Sequence, residues 1–395
     1  MQATSPSFSR LVGGILLVAG SCIGAGMLGL PVLSGAAGFT PSIFVFLICW
    51  LFMVSTGFLL LEVNLWFGQS ANLITMAEQT LGRWGKGVSW VVFLYLFYCL
   101  MVAYMAASGT LVADFTAVYA KAPIPKWLGS LLFSLIFGAL IYKGTHAVDW
   151  FNRLLMGGLV VAYVTLILLG AKHVNVSLLG RQDWKAATLV VPIAVISFGY
   201  HNLLPSLTSY LDGHVRSLKW VILVGSAIPL LIYLIWEWLI LGIVPAQEFQ
   251  GALDQGELAT QSLYNVVGSS WIAGLAQAFA FFAIITSFLS VALSFVDFLA
   301  DGLGIRNSLN RIVPIALVLV PPFVFALLHP TIFLIALNYA SGFGAVILFG
   351  IVPALMVWKG RYQKKISAPQ LVPGGKFVLI LIFLFSGWVM LLQVL

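Results

Sequence analysis

Residues 20–31 read Gly-Ser-Cys-Ile-Gly-Ala-Gly-Met-Leu-Gly-Leu-Pro and lie inside an apolar run, residues 11–36, that carries no charged side chain. Glycine costs about 1 kcal/mol relative to alanine in a helix interior, and proline also removes a backbone donor. Four glycines and a proline so close together predict a membrane-spanning helix that is interrupted. Hydrocarbon penalises unpaired backbone groups, so an interruption survives only against protein or a water-filled cavity. A second break is expected in the run 188–211, where Ser197-Phe198-Gly199-Tyr200-His201-Asn202-Leu203-Leu204-Pro205 again sets a small residue and a glycine ahead of a proline. One such break is also what a glycine patch for helix packing looks like. Two breaks at corresponding places in two halves point to a secondary transporter built from inverted repeats.

The rest of the chain fits a membrane setting. Of its 395 residues 61% are hydrophobic and 8% charged, with mean hydropathy +1.07, which describes an all-α integral membrane protein and excludes a soluble globule. Cys22, Cys49 and Cys99 all fall in apolar runs, and an odd count there argues against a disulfide framework or a metal cluster. The first run is too long and too glycine-rich for a cleaved signal peptide and reads as a retained helix. The net charge of +7 is a topology signal and implies no nucleic acid partner.

Eleven apolar runs are expected as transmembrane helices: 11–36, 41–67, 87–119, 127–143, 147–171, 188–211, 217–243, 270–300, 312–328, 331–358 and 376–394. Each reaches the roughly 17–25 residues needed to cross. With the N-terminus in the cytoplasm, only Lys121, Lys126, Lys172, Arg181 and Lys185 of the 19 Lys and Arg fall outside; the remainder, Arg306 included, fall inside. That bias obeys the positive-inside rule and leaves the C-terminus on the outer side. The first ten runs divide into two fives, 11–171 and 188–358. Five is odd, so the second set enters from the opposite side and the repeats are inverted, with 376–394 an extra helix. The whole chain, 1–395, then forms one transporter domain. The loop 245–269 is long enough for a short helix capping an outer vestibule.

A broken helix exposes N–H groups at the start of its second half and carbonyls at the end of its first. Around the first break, Ser21, Ile23, Gly24, Ala25 and Gly26 are candidates to hold a carboxylate. Around the second, Phe198, Gly199 and Tyr200 are candidates to offer carbonyls to an amine. Such a pair suits a zwitterion, hence an amino acid before a sugar or an inorganic ion. The third run carries Tyr95, Tyr98, Met101, Tyr104, Met105 and Ser108 at helical spacing, which reads either as an apolar pocket for a large aromatic side chain or as aromatic helix packing.

In the eighth run, Ser290, Ser294, Asp297 and Asp301 form a stripe that reads as a wet path or as close helix approach. Among intramembrane acids, Glu62 and Asp114 sit near interfaces, where snorkelling or capping accounts for them. Glu237 is deeper and is a candidate for coupling, or simply protonated and hydrogen-bonded. His201 adjoins the second break and titrates near neutrality, so it reads as a coupling or as a structural histidine.

The first-break motif resembles the first span of the bacterial hydroxy and aromatic amino acid permeases, the tyrosine- and tryptophan-specific transport proteins of the amino acid, polyamine and organocation superfamily. Leu59-Leu60-Leu61-Glu62, Phe151-Asn152-Arg153, Ser197-Phe198-Gly199-Tyr200-His201 with Pro205-Ser206, Thr286-Ser287-Phe288-Leu289 and Phe295-Val296-Asp297-Phe298-Leu299-Ala300-Asp301 are similar to the same family. The resemblance covers nearly the whole chain, in order. It implies a LeuT-like fold with helices 1 and 6 broken, and import of tyrosine or tryptophan into a bacterium across its inner membrane by proton-driven symport. Asn202-Leu203 departs from a family pattern with glycine beside the histidine, and Glu237 stands where a neutral residue is expected.

Ala283, Thr286 and Ser287 have the spacing with which sodium-coupled LeuT-type relatives hold sodium, so sodium stands as the alternative coupling ion; Thr286, Ser287 and Asp297 are read as the coupling region. No resident cofactor and no obligate protein partner are implied, only an amino acid and the lipid bilayer. A membrane enzyme is the reading from another class. Yet the chain has no His-Glu-x-x-His, no Gly-x-Ser-x-Gly and no Gly-Lys-Ser/Thr phosphate loop. A channel needs no paired breaks.

Overall fold

A computed structural model of the chain describes residues 6–67, 71–119, 121–267, 270–303, 311–366 and 368–394. The described residues are helical and turn segments, and the apolar runs expected above are largely helical, with non-helical breaks at 23–25 in the first and 198–200 in the sixth. The topology residue Arg306 lies outside the described residues. Among the described residues, seven helices are long and apolar enough to cross a bilayer, and eight if a bent pair counts as one span. Three more apolar helices, Lys126–Tyr142, Ile312–Leu328 and Gly375–Leu391, have 17 residues each. At 1.5 Å per residue those three span ~25 Å, slightly less than a ~30 Å hydrocarbon core. The chain is a multi-pass membrane protein.

The bent pair is the first expected break. Helix α1 (Phe8–Cys22) starts on Ser7, whose hydroxyl accepts the N–H of Arg10, and α2 (Gly26–Ala37) departs from it by 55°. The break itself covers only Ile23, Gly24 and Ala25, so Pro31 is not part of it. Pro31 lies inside α2 and has no N–H for the carbonyl of Met27 four residues back. That carbonyl is served instead by the indole of Trp236, at 2.9 Å. Gly38 then turns the chain at φ +90°, where a Cβ would overlap the carbonyl of Arg181, and α3 (Phe39–Phe67) follows.

The next helices are α4 (Leu73–Leu81), α5 (Arg83–Tyr119), α6 (Lys126–Tyr142) and α7 (Thr145–Gly170). The second break divides α8 (Val191–Ser197) from α9 (Leu204–Tyr210), with a 3₁₀ turn at His201–Leu203 between them. Then come α10 (Val215–Ile243), the loop helices α11 (Ala246–Gln255) and α12 (Ala259–Val267), α13 (Ser270–Gly302), α14 (Ile312–Leu328), α15 (Phe333–Tyr339), α16 (Val352–Trp358) and α17 (Gly375–Leu391). The 245–269 loop thus carries two short helices where one was expected. A π-helical stretch, Ala340–Ile351, joins α15 to α16 in one continuous rod.

The helices pack as two groups around the breaks. α10 and α3 pack on the broken pairs, α10 against α1 and α3 against α8 and α9. α13 packs on α7 and α5, and α5 on α6 and α14. Cys22, Cys49 and Cys99 are free thiols. At one end of the bundle, Arg10 pairs with Asp212 at 2.6 Å and joins the start of α1 to the turn after α9. At the other end Phe249 of α11 lies on α2, where a Cβ on Gly35 would overlap its ring.

Candidate functional site

At the first break the backbone is only partly self-satisfied. Ile23 N–H donates to Ala19 O at 3.1 Å, and Met27 and Leu28 donate three residues back to Gly24 and Ala25. Ala25 N–H donates to Ser287 Oγ of α13 at 2.9 Å. The N–H groups of Gly24 and Gly26 have no hydrogen-bond partner among the described residues. Both glycines are sites of close approach. A Cβ on Gly24 would overlap Ser287 Oγ, and one on Gly26 would lie 2.8 Å from Ser197 Oγ at the end of α8. The start of α2 therefore sits against the second broken helix, with free donors at its positive dipole end. Ser21 is exposed, and its hydroxyl turns back to Val18 O at 2.8 Å.

At the second break, Phe198 and Gly199 donate to Val195 O and Ile196 O, at 3.2 and 2.9 Å. Their own carbonyls accept nothing among the described residues. The side chains of Tyr200 and His201 turn to α3. Tyr200 donates its hydroxyl to Met53 O at 3.0 Å over Gly57, where a Cβ would overlap it. His201 Nε2 shares a 3.0 Å hydrogen bond with Thr56, and the ring is clamped between Tyr200 and Phe349, with centroids 4.9 and 4.8 Å away. Its Nδ1 is buried with no partner among the described residues. Asn202, the departure from the family pattern, is exposed.

Helix α10 supplies a polar seam that the sequence reading took in only through Glu237. Tyr233 donates its hydroxyl to Cys22 O at 2.6 Å and Ser197 O at 2.8 Å, touching the ends of α1 and α8 together. Trp236 meets Met27 O, and Glu237 Oε2 accepts from Ser34 Oγ at 2.5 Å, while Glu237 Oε1 is buried with no partner among the described residues. The signal was present: residues 233, 236 and 237 share one helix face by their spacing of three and four.

The face read on α5 divides. Met101, Tyr104 and Met105 are buried, and the Tyr104 hydroxyl lies near Ser287 beside the first break. Met105 belongs to the α6 contact, its sulfur accepting from Ser134 and its carbonyl from Ser130. Tyr95 and Tyr98 donate to the carbonyls of Tyr339 and Leu317, away from the breaks. On α13, the hydroxyl of Thr286 bonds back to Phe282 O and Ala283 O, and of Ala283, Thr286 and Ser287 only Ser287 bonds to the break. Asp297 pairs with Arg311 at 2.8 Å, and Ser290, Ser294, Asp297 and Asp301 are all exposed.

Two further features lie off the breaks. A cavity of about 230 Å³ is lined by Gly35, Gly38, Arg181, Gln247 and Phe249 among others, beside α11. Glu62 neither snorkels nor caps a helix in the interface. It is buried in a bidentate pair with Arg361, at 2.7 and 2.6 Å, and also accepts the N–H of Leu371 at 2.8 Å. Its partner lies 299 residues away, beyond any pattern of local spacing.

The comparisons with known proteins cover the same length of chain as these contacts. The model of the tryptophan/tyrosine permease family matches residues 8–393. The tyrosine-specific transport system 1 of Haemophilus influenzae is 34% identical over 390 residues, covering 95% of this chain and 94% of that protein. The tryptophan-specific transport protein of the same organism is 31% identical, covering 98% and 95%. That of Pseudomonas aeruginosa is 30% identical, covering 95% and 92%. These relatives are transport proteins and not enzymes. A match this long, taken with two broken helices that meet at free donors and acceptors, places the chain in the tryptophan/tyrosine permease family.

Proposed function

We propose that this protein imports aromatic amino acids, tyrosine first and tryptophan next, across the bacterial cytoplasmic membrane by proton-driven symport and alternating access. The carrying observation is the pair of breaks: unpartnered N–H groups on Gly24 and Gly26, and unpartnered carbonyls on Phe198 and Gly199, with Gly26 against Ser197. A zwitterion bridges such a site without any formal protein charge. The N–H groups of Gly24 and Gly26 face its carboxylate and the carbonyls of Phe198 and Gly199 its amine, with Tyr200, whose carbonyl accepts the N–H of Leu203, and His201 behind them. Met101, Tyr104 and Met105 form the apolar side, where Tyr104 adjoins Ser287.

In this reading the eleven apolar segments all span, as a LeuT-like pair of inverted five-helix repeats, 11–171 and 188–358, plus one helix. The N-terminus is cytoplasmic and the C-terminus periplasmic. Alternating access is supported by an asymmetry of exposure. Ser21, Asn202, Ser290 and Ser294 are exposed on the half that leads to Arg10 and Asp301, whereas α2 and α8 are almost wholly buried. Glu237 is the first candidate for the coupling proton, since it is a buried acid with one oxygen unpaired. His201 is the second, and the stripe from Thr286 and Ser287 to Asp297 leads to the cytoplasmic exit. Sodium remains the alternative ion.

The test is uptake into proteoliposomes of labelled tyrosine and tryptophan, under separately imposed proton and sodium gradients. Accumulation with the proton gradient alone is expected, with competition strongest from tyrosine, tryptophan and phenylalanine. Equal competition by serine or alanine, or accumulation with sodium alone, overturns the respective half of the reading.

A further inference from the structure

The hydroxyl of Tyr233 lies between the two broken helices, 2.6 Å from Cys22 O and 2.8 Å from Ser197 O. Each of these carbonyls closes the C-terminal end of a half-helix, where intrahelical donors run out and the helix dipole is negative. Two such ends repel, and a shared donor offsets that repulsion. A phenol has a single proton, so one O–H serves both acceptors by sharing.

The hydroxyl is held in place. Tyr233 is fully buried, and its ring packs against Phe46 of α3 and Phe198 of the second break, with centroids 6.4 and 5.3 Å away. In a close-packed interior it cannot swing aside without repacking both rings. The carbonyls just beyond its two acceptors, those of Ile23, Phe198 and Gly199, accept no hydrogen bond among the described residues.

We propose that Tyr233 is a positioning residue for recognition of a primary ammonium. From the α10 side it holds the ends of α1 and α8 at the spacing at which the free carbonyls of Ile23, Phe198 and Gly199 converge on one NH₃⁺. A primary ammonium has three donors and needs several acceptors around one point. Two broken helices meet that need only if their separation is set. The inference rests on the reading of the breaks as an amino acid site.

The test compares ligands with and without the amine on full-length protein in detergent: L-tryptophan against indole-3-propionate, and L-tyrosine against 3-(4-hydroxyphenyl)propionate. The wild type prefers each amino acid over its deaminated partner. Tyr233→Phe removes one oxygen, and the preference is expected to fall about tenfold, the worth of one hydrogen bond to a charged group. The fall comes from weaker amino acid binding, with affinity for the deaminated acids unchanged. A merely structural role lowers both affinities together, so a parallel loss overturns the proposal, as does an unchanged preference.

Phe46→Leu keeps the hydroxyl but loosens the ring, and should lose part of the same preference. If Tyr233→Phe does not fold, an unchanged preference in Phe46→Leu overturns the proposal. A wild type that shows no preference for the amine overturns instead the reading of the breaks as an amino acid site.

Discussion

Ser287 Oγ accepts the backbone N–H of Ala25 at 2.9 Å, and the same hydroxyl occupies the space where Gly24 would carry a Cβ. Helix α13 thus bonds to the first break through this hydroxyl, which has room there because residue 24 has no side chain. Gly24→Ala is expected to push the hydroxyl off Ala25 and disturb the free donor at residue 24. Overpacking of this kind costs about 1–3 kcal/mol, or roughly five- to 140-fold if it falls wholly on affinity. The double variant Gly24→Ala with Ser287→Gly should recover part of that loss. Equilibrium binding of labelled tyrosine to folded protein checks both, and an unimpaired Gly24→Ala variant rules out the close approach.

The buried pair of Glu62 and Arg361 yields a stability prediction. Their side chains are 1% and 5% exposed, so Arg361→Met leaves a carboxylate without its cation in a dry site. Removing one partner of such a pair costs about 3–5 kcal/mol. Replacing both, Glu62→Met with Arg361→Met, should cost less than Arg361→Met alone. Thermal unfolding in detergent reads the order of the three proteins, and a double variant less stable than the single would contradict it.

Asp183 gives a dependence on pH in the segment that docks beside α2. The N–H of Ala186, then that of Lys185, hold its carboxylate below the usual range, and Asp183 N–H in turn donates to Ala37 O at 2.8 Å. A lowered carboxyl pKa contributes stability that is complete above the unfolded value and is lost as the pH falls through the folded one. Local opening around Lys185 and Ala186 should therefore increase only on acidification below the ordinary aspartate value. Amide hydrogen exchange, corrected for the intrinsic pH dependence of the rate, measures it. Asp183→Asn should abolish the step.

Glu237→Gln keeps an acceptor for Ser34 while removing the titratable proton. If Glu237 carries the coupling proton, the variant should exchange tyrosine across a liposome membrane at a normal rate but fail to accumulate it with an imposed pH gradient. Full accumulation moves the proton site elsewhere, with His201 next to be tested by the same pair of assays.

The helices and both interruptions were legible in the sequence because their causes are local. Apolar runs of spanning length, glycine clusters and N-capping residues act within a turn or two of the chain. The first break falls at Ile23–Ala25, within the stretch read from the sequence, but that α2 runs on through Pro31 was not legible: the carbonyl that Pro31 leaves open is met by the indole of Trp236, a tertiary contact. Gly24 could be read as part of a break from its neighbours in the chain, whereas Ser21 ends up in α1 with its hydroxyl turned back to Val18 O. That Tyr95 and Tyr98 turn to other helices, while Tyr104 reaches Ser287, could not be read in this way, since one helical face meets several neighbours in turn.

What the sequence by itself determined is where the apolar helices lie and the two places where their backbones open. Only the tertiary structure decided which groups meet there: Tyr233 with Cys22 and Ser197, Ser287 with Ala25, and Glu62 with Arg361. Helix propensity and hydrophobic period report on the neighbouring turns of one chain segment. Partners such as Cys22 and Tyr233, 211 residues apart, are selected by how whole helices pack, and a linear pattern carries no record of that choice.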